Sequence, residues 1–156
     1  MADIVSERYA QSLYEVAKDE KQEKEYLEEL TAVCGAFREN PDFLKLFTTP
    51  SIAFEDKQNV LKTVFEGKIR PFMLNFLMLT TEKGRIGLIH EMREAYKEQY
   101  YFENNIAEVC AVTAVPMSDA LRDRLKNKMQ AVTGRQVVLE TSVDPEIIGG
   151  IVVKVN

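Results

Sequence analysis

Along the first hundred residues the apolar positions recur with the period of an α-helix, and along the last fifty they alternate as in a β-strand. Val5, Tyr9, Leu13, Val16 and Ala17 make one stripe, with Ala10 and Tyr14 beside it, and predict an amphipathic helix over residues 3–19. Tyr26, Leu27, Leu30, Val33, Cys34 and Phe37 mark a second helix, which stops before Asn40-Pro41, a cap followed by proline at the first helical position. That proline opens a short third helix through Phe43, Leu44, Leu46 and Phe47. Thr48-Thr49-Pro50 closes it, because the residue before proline is driven out of the helical region. Val60, Leu61, Val64 and Phe65 carry a fourth helix, with Gly67 placed to end it.

The fifth helical segment, from Ile69 to Leu79, has almost no polar face: only Asn75 interrupts the run from Phe72 to Leu79. A helix apolar all round must be covered on every side. A sixth helix follows from Ile86 to Tyr101, with Ile89, Met92, Tyr96 and Tyr100 facing inward.

The period changes at Asn104-Asn105. Ile106–Val115 is rich in Val, Thr and Ala and ends at Pro116, as a strand would. Ser118 or Asp119 caps a helix whose apolar face is Ala120, Leu121, Leu125, Met129 and Val132, and Gly134 ends it. Val137, Leu139, Thr141 and Val143 alternate strictly; after Asp144-Pro145 a glycine pair leads into Ile151, Val153 and Val155. The expected architecture is α+β: a six-helix bundle over residues 1–105, then a small β-α-β-β domain over residues 106–156.

Composition changes this picture little and mainly excludes. At 46% hydrophobic and 29% charged residues the chain has the make-up of a folded, soluble protein. The net charge of -5 belongs to the helical part, since residues 106–156 hold six acids and six bases. Such a balance disfavours nucleic acid as the main partner, because phosphate binding needs clustered cations. Arg122, Arg124, Lys126 and Lys128 on one predicted helix supply the alternative reading, a nucleic-acid-binding regulator. Cys34 and Cys110 fall in different elements without zinc or redox spacing. The start, Met1-Ala2-Asp3, lacks the pattern of a signal peptide, and no apolar stretch nears the ~20 residues that span a bilayer. His90 is the only histidine and has no nucleophile site nearby; phosphate-loop, dinucleotide and metal-site motifs are absent. No catalytic residue, cofactor or metal is expected.

Surface therefore remains as the carrier of function. The first helix combines the small residues Ala10, Ser12 and Ala17 with Tyr9, Leu13 and Tyr14, and the fifth has apolar residues to spare. If the two pack side by side, a groove for a partner helix results, lined by Tyr9, Ala10, Leu13, Tyr14, Ala17, Phe72, Phe76, Met78 and Leu79.

Three sets of residues resemble one family along the whole chain. They are Arg8-Tyr9-Ala10 with Leu13, Val16 and Ala17; Glu82-Lys83-Gly84-Arg85-Ile86; and the closing pattern Val137, Leu139, Val143-Asp144, Ile147, Gly149-Gly150-Ile151, Val153-Lys154 and Asn156. The chain is similar there to the delta subunit of the F-type ATP synthase, the family of the oligomycin-sensitivity-conferring protein. That resemblance implies a non-catalytic stator subunit at the cytoplasmic face of the bacterial membrane, joining the catalytic alpha/beta head to the peripheral stalk. It implies that the first and fifth helices hold the N-terminal helix of an alpha subunit and that the C-terminal domain engages the b subunit. The family continues with a further strand and helix, so the last strand here is expected to leave an open ladder edge.

Overall fold

The computed structural model describes residues 3–156. The chain start Met1-Ala2, read above for a targeting pattern, lies outside the described residues. Among the described residues the order is α1 (Ile4–Asp19), α2 (Glu23–Glu39), α3 (Pro41–Thr48), α4 (Phe54–Phe65), α5 (Pro71–Glu82), a 3-10 turn at Ile86–Leu88, α6 (Ile89–Glu103), β1 (Ile106–Thr113), α7 (Asp119–Thr133), β2 (Gln136–Val143) and β3 (Ile151–Val155). The fold is α+β, and the chain divides into two compact units, residues 1–100 and 101–156. The division falls within α6: Tyr100 still packs on the helical core, while Phe102 is 87% exposed.

Local chemistry explains several helix ends, but Asn40, expected to cap α3, makes no side-chain bond to that helix: its amide donates back to the Ala36 carbonyl of α2 at 3.0 Å, and Pro41 at the first position opens α3. Asp3 caps α1, its carboxylate accepting from the Ser6 N–H at 2.9 Å. After α5, Arg85 N–H donates to the Thr80 carbonyl and Gly84 N–H to the Thr81 carbonyl, with Gly84 at φ +71°. This is a Schellman cap, and it gives the Glu82–Ile86 motif its physical content. The same pair of bonds ends α1, from Gln22 to Ala17 and from Lys21 to Lys18, but there the left-handed position is occupied by Lys21 at φ +57°.

The first unit has one core, to which α1 to α6 all contribute. Tyr14 and Tyr96 meet edge to face at 5.3 Å, and Tyr96 donates its hydroxyl to the Glu23 carbonyl at 2.7 Å. Phe37, Phe43, Phe47 and Phe65 form an aromatic cluster that docks the short α3 between α2 and α4.

In the second unit β1 is central, parallel to β2 and antiparallel to β3, so β2 and β3 are both edges. Its buried cluster is small: Ala107, Val109 and Val137, with Met129 and Leu139 against it. The apolar face expected for α7 is only partly used. No residue of α7 is buried, Leu121 is 42% exposed and Val132 72%. Ile151, Val153 and Val155 share the face of Thr113, Ala111 and Val109 yet stay exposed, because the contact of α7 with the sheet runs through Met129 onto β1 and β2.

Candidate partner-binding groove

Between α1 and α5 the surface of the first unit holds a depression of about 260 Å³. One wall is Tyr9, Ser12, Leu13 and Val16 from α1; the other is Phe72, Asn75, Phe76 and Leu79 from α5. Both walls follow the same spacing of i, i+3, i+4 and i+7, so the groove runs along two helix faces over roughly 10 Å at 1.5 Å per residue. Tyr9 and Phe76 meet across it edge to face, with ring centroids 6.4 Å apart. Phe72 is 43% and Leu79 45% exposed. Large apolar side chains held half out of the surface along a linear cleft are the form that receives an amphipathic helix.

Of the nine residues expected to line this groove, Tyr9, Leu13, Phe72, Phe76 and Leu79 do so. Ala10, Tyr14 and Ala17 do not: they are buried in the core with Ser6 and Leu13. At 100° per residue, positions 6, 10, 13, 14 and 17 form one stripe of α1, and positions 9, 12, 13 and 16 form another about a quarter turn away. Only Leu13 belongs to both. Met78 is also misplaced, lying in a separate concavity of about 620 Å³ with Gln58 and Lys62 of α4. Ser12, Val16 and Asn75 also line it; angular projection groups them with Tyr9 and Phe72, but only the packing of α1 beside α5 selects those stripes. Ser12 is committed to its own helix, its hydroxyl donating to the Arg8 carbonyl at 3.0 Å.

The rest of the chemistry is structural. Burial, with Arg38 and Arg93 nearby, lowers the His90 pKa below its usual value. Its Nδ1 is buried without a hydrogen-bond partner. Burial also pushes the Cys34 thiol up to about 12, which keeps it protonated and unreactive. Among the described residues no group of acids, cysteines and histidine could hold a metal ion. No helix there is long and apolar enough to cross a membrane. Arg122, Arg124, Lys126 and Lys128 are all exposed. On the helix, however, Arg122 and Lys126 lie on one flank and Arg124 and Lys128 on the opposite one, which gives no continuous basic stripe.

Comparison with known proteins agrees with the resemblance read in the sequence. The family model of the ATP synthase delta (OSCP) subunit matches residues 5–156. ATP synthase subunit delta of Clostridium kluyveri is 32% identical over 156 residues, covering 100% of this chain and 86% of that protein. The subunit delta of Solidesulfovibrio magneticus is 36% identical over 158 residues, covering 99% and 86%. Among solved structures, a chain of the mitochondrial ATP synthase hexamer of Toxoplasma gondii superposes with a TM-score of 0.74 at 22% identity, over 96% of this chain and 85% of that one, a likeness of fold. With the family pattern running from residue 5 to residue 156 on this fold, the chain belongs to the ATP synthase delta (OSCP) subunit family.

Proposed function

We propose that the protein is a non-catalytic connector of an F-type ATP synthase, tying the alpha/beta head to the peripheral stalk so that the head does not turn with the rotor. The six helices of the first unit serve as a bundle whose α1/α5 groove receives the N-terminal helix of an alpha subunit. Residues 106–156 face the b subunit, and the whole works at the cytoplasmic face of the bacterial membrane as a peripheral part of the complex. The observation that carries this reading is the matched i, i+3, i+4, i+7 spacing of the two groove walls, with Phe72 and Leu79 left half exposed. A helix with an apolar stripe of the same spacing completes the packing that the chain lacks there.

The test is titration of a peptide from the alpha-subunit N terminus into the labelled protein. Amide shifts are expected at Tyr9, Val16, Phe72, Phe76 and Leu79 and not along α7. Shifts confined to α3, α4 or α7 would move the site elsewhere. The competing nucleic-acid reading predicts salt-dependent DNA binding that weakens on replacing Lys126 and Lys128, and the two-flank placement of the α7 cations leads us to expect none.

A further inference from the structure

Arg70 immediately precedes α5 and is held from several directions at once. Its backbone N–H donates to Glu29 Oε1 at 3.1 Å, and its Nη1 reaches the same oxygen at 2.8 Å. Its Nε donates to Gln22 Oε1 at 2.9 Å, and its guanidinium lies over the Tyr26 ring, 5.5 Å from the centroid. Tyr26 is itself fixed, fully buried, with its hydroxyl donating to Glu20 Oε2 at 2.7 Å. The start of α5 is thus clamped to the α1–α2 junction and to α2. No side chain caps it, and the Glu29 carboxylate instead anchors the N–H of the N-cap residue Arg70, near the positive end of the helix dipole. Pro71 then fixes the next φ, and Phe72, the outermost aromatic of the groove wall, follows directly.

The second Glu29 oxygen, Oε2, is buried and has no hydrogen-bond partner. Glu29 therefore depends on Arg70: with the guanidinium gone, a largely desolvated carboxylate is left uncompensated and must move toward water. Such a movement releases the N–H of Arg70 and loosens the attachment of the start of α5 to α2, leaving its first turn, closed by the Leu74 N–H on the Arg70 carbonyl, free to fray.

We propose that Arg70 and Glu29 form a latch that positions the first turn of α5, and so sets the affinity of the groove through Phe72 without touching the occupant. Both are positioning residues. The proposal rests on the reading of the groove as a helix-binding site.

The experiment uses the full chain as wild type, Arg70→Met, Arg70→Lys, Glu29→Gln, the double variant Arg70→Met/Glu29→Gln, and Phe72→Ala as the direct-contact control. Two quantities are measured: the Kd for the alpha-subunit N-terminal peptide, and amide hydrogen exchange along α5. Arg70→Met is expected to weaken the peptide by about tenfold. Exchange at the Leu74 amide, which bonds the Arg70 carbonyl, is expected to accelerate while the Thr80 and Thr81 amides stay as they were. Arg70→Lys loses the planar fork and falls between. The double variant recovers part of the loss, because no carboxylate is then stranded. Phe72→Ala weakens the peptide with exchange unchanged. An Arg70→Met protein that binds like wild type, or one whose α5 amides all accelerate together, overturns the latch; if it does not fold, Glu29→Gln is held to the same two readouts. Should wild type itself bind no peptide, the groove reading fails, and the exchange pattern alone decides the latch.

Discussion

Tyr14 and Phe72 are both aromatic residues on helices that border the groove, yet a charge placed at each has opposite meaning. Tyr14 is 2% exposed and packed against Tyr96, so Tyr14→Asp is expected to lower stability by about 3 kcal/mol or more and to unfold much of the first unit, seen as lost helicity. On the proposed reading of the groove, Phe72→Asp leaves the circular dichroism spectrum and melting temperature near wild type while weakening the alpha peptide by roughly thirtyfold or more, the effect of a lost hot spot of at least ~2 kcal/mol. Titration separates two other residues. The His90 pKa is lowered in the folded protein, so its contribution to stability is full above the ordinary imidazole range near 6.5 and is lost as the pH falls toward the folded value. A melting temperature that drops between about pH 7 and about pH 5 is expected, and the drop should shrink in His90→Gln. Cys34 behaves in the opposite sense: its folded pKa is raised to about 12, so its contribution is present below the ordinary thiol range and lost as the pH climbs toward 12. Cys34→Ala should flatten part of that alkaline limb.

At the scale of elements the instructive pair is the two Schellman caps. They share the same hydrogen bonds, but α5 ends on Gly84 and α1 on Lys21, and only glycine enters the left-handed region without a Cβ penalty. Gly84→Ala is expected to lower stability by about 1 to 2 kcal/mol, although the space around its Cβ is open, and Lys21→Gly to raise it by about 0.5 to 1 kcal/mol. Denaturant titration of the two variants should shift the midpoints in opposite directions. Gly84 marks the end of α5 in residue order, although the helix runs three residues past the expected Leu79, whereas nothing in the sequence signals the left-handed Lys21 that ends α1. Which side of each helix faces the core was less legible: in α1 two apolar stripes a quarter turn apart share Leu13, and a list of apolar residues merges them into one face.

Over the whole molecule the two units differ in how much they bury. The first encloses large side chains from six helices, including Tyr14, Tyr26, Tyr96, Phe37 and Phe47, all nearly inaccessible. The second has three buried residues in its cluster and an edge strand, β3, exposed throughout. Stability should follow, since small cores contribute little. Amides of α7 and β3 are expected to exchange at least tenfold faster than those in the middle of α1, α2 and α6. Uniform protection across both units would contradict this.

The order of elements, the change of period near residue 105 and the caps of α7 at Ser118 and Gly134 were determined by the sequence alone, because each depends on residues within a few positions of one another. The family was legible too, through short motifs whose local content is a Schellman cap at Gly84 and a pair of left-handed glycines at Gly149 and Gly150. What only the tertiary structure decided is which apolar residues line the α1/α5 groove. Met78 and Phe76 are two positions apart on the same nearly all-apolar helix, and nothing in their chemistry assigns one to the α4 side and the other to α1. The Arg70–Glu29 pair, forty-one positions apart, is equally invisible in the sequence. Both are settled by how neighbouring helices lie against α5, and that depends on the packing of every core side chain together.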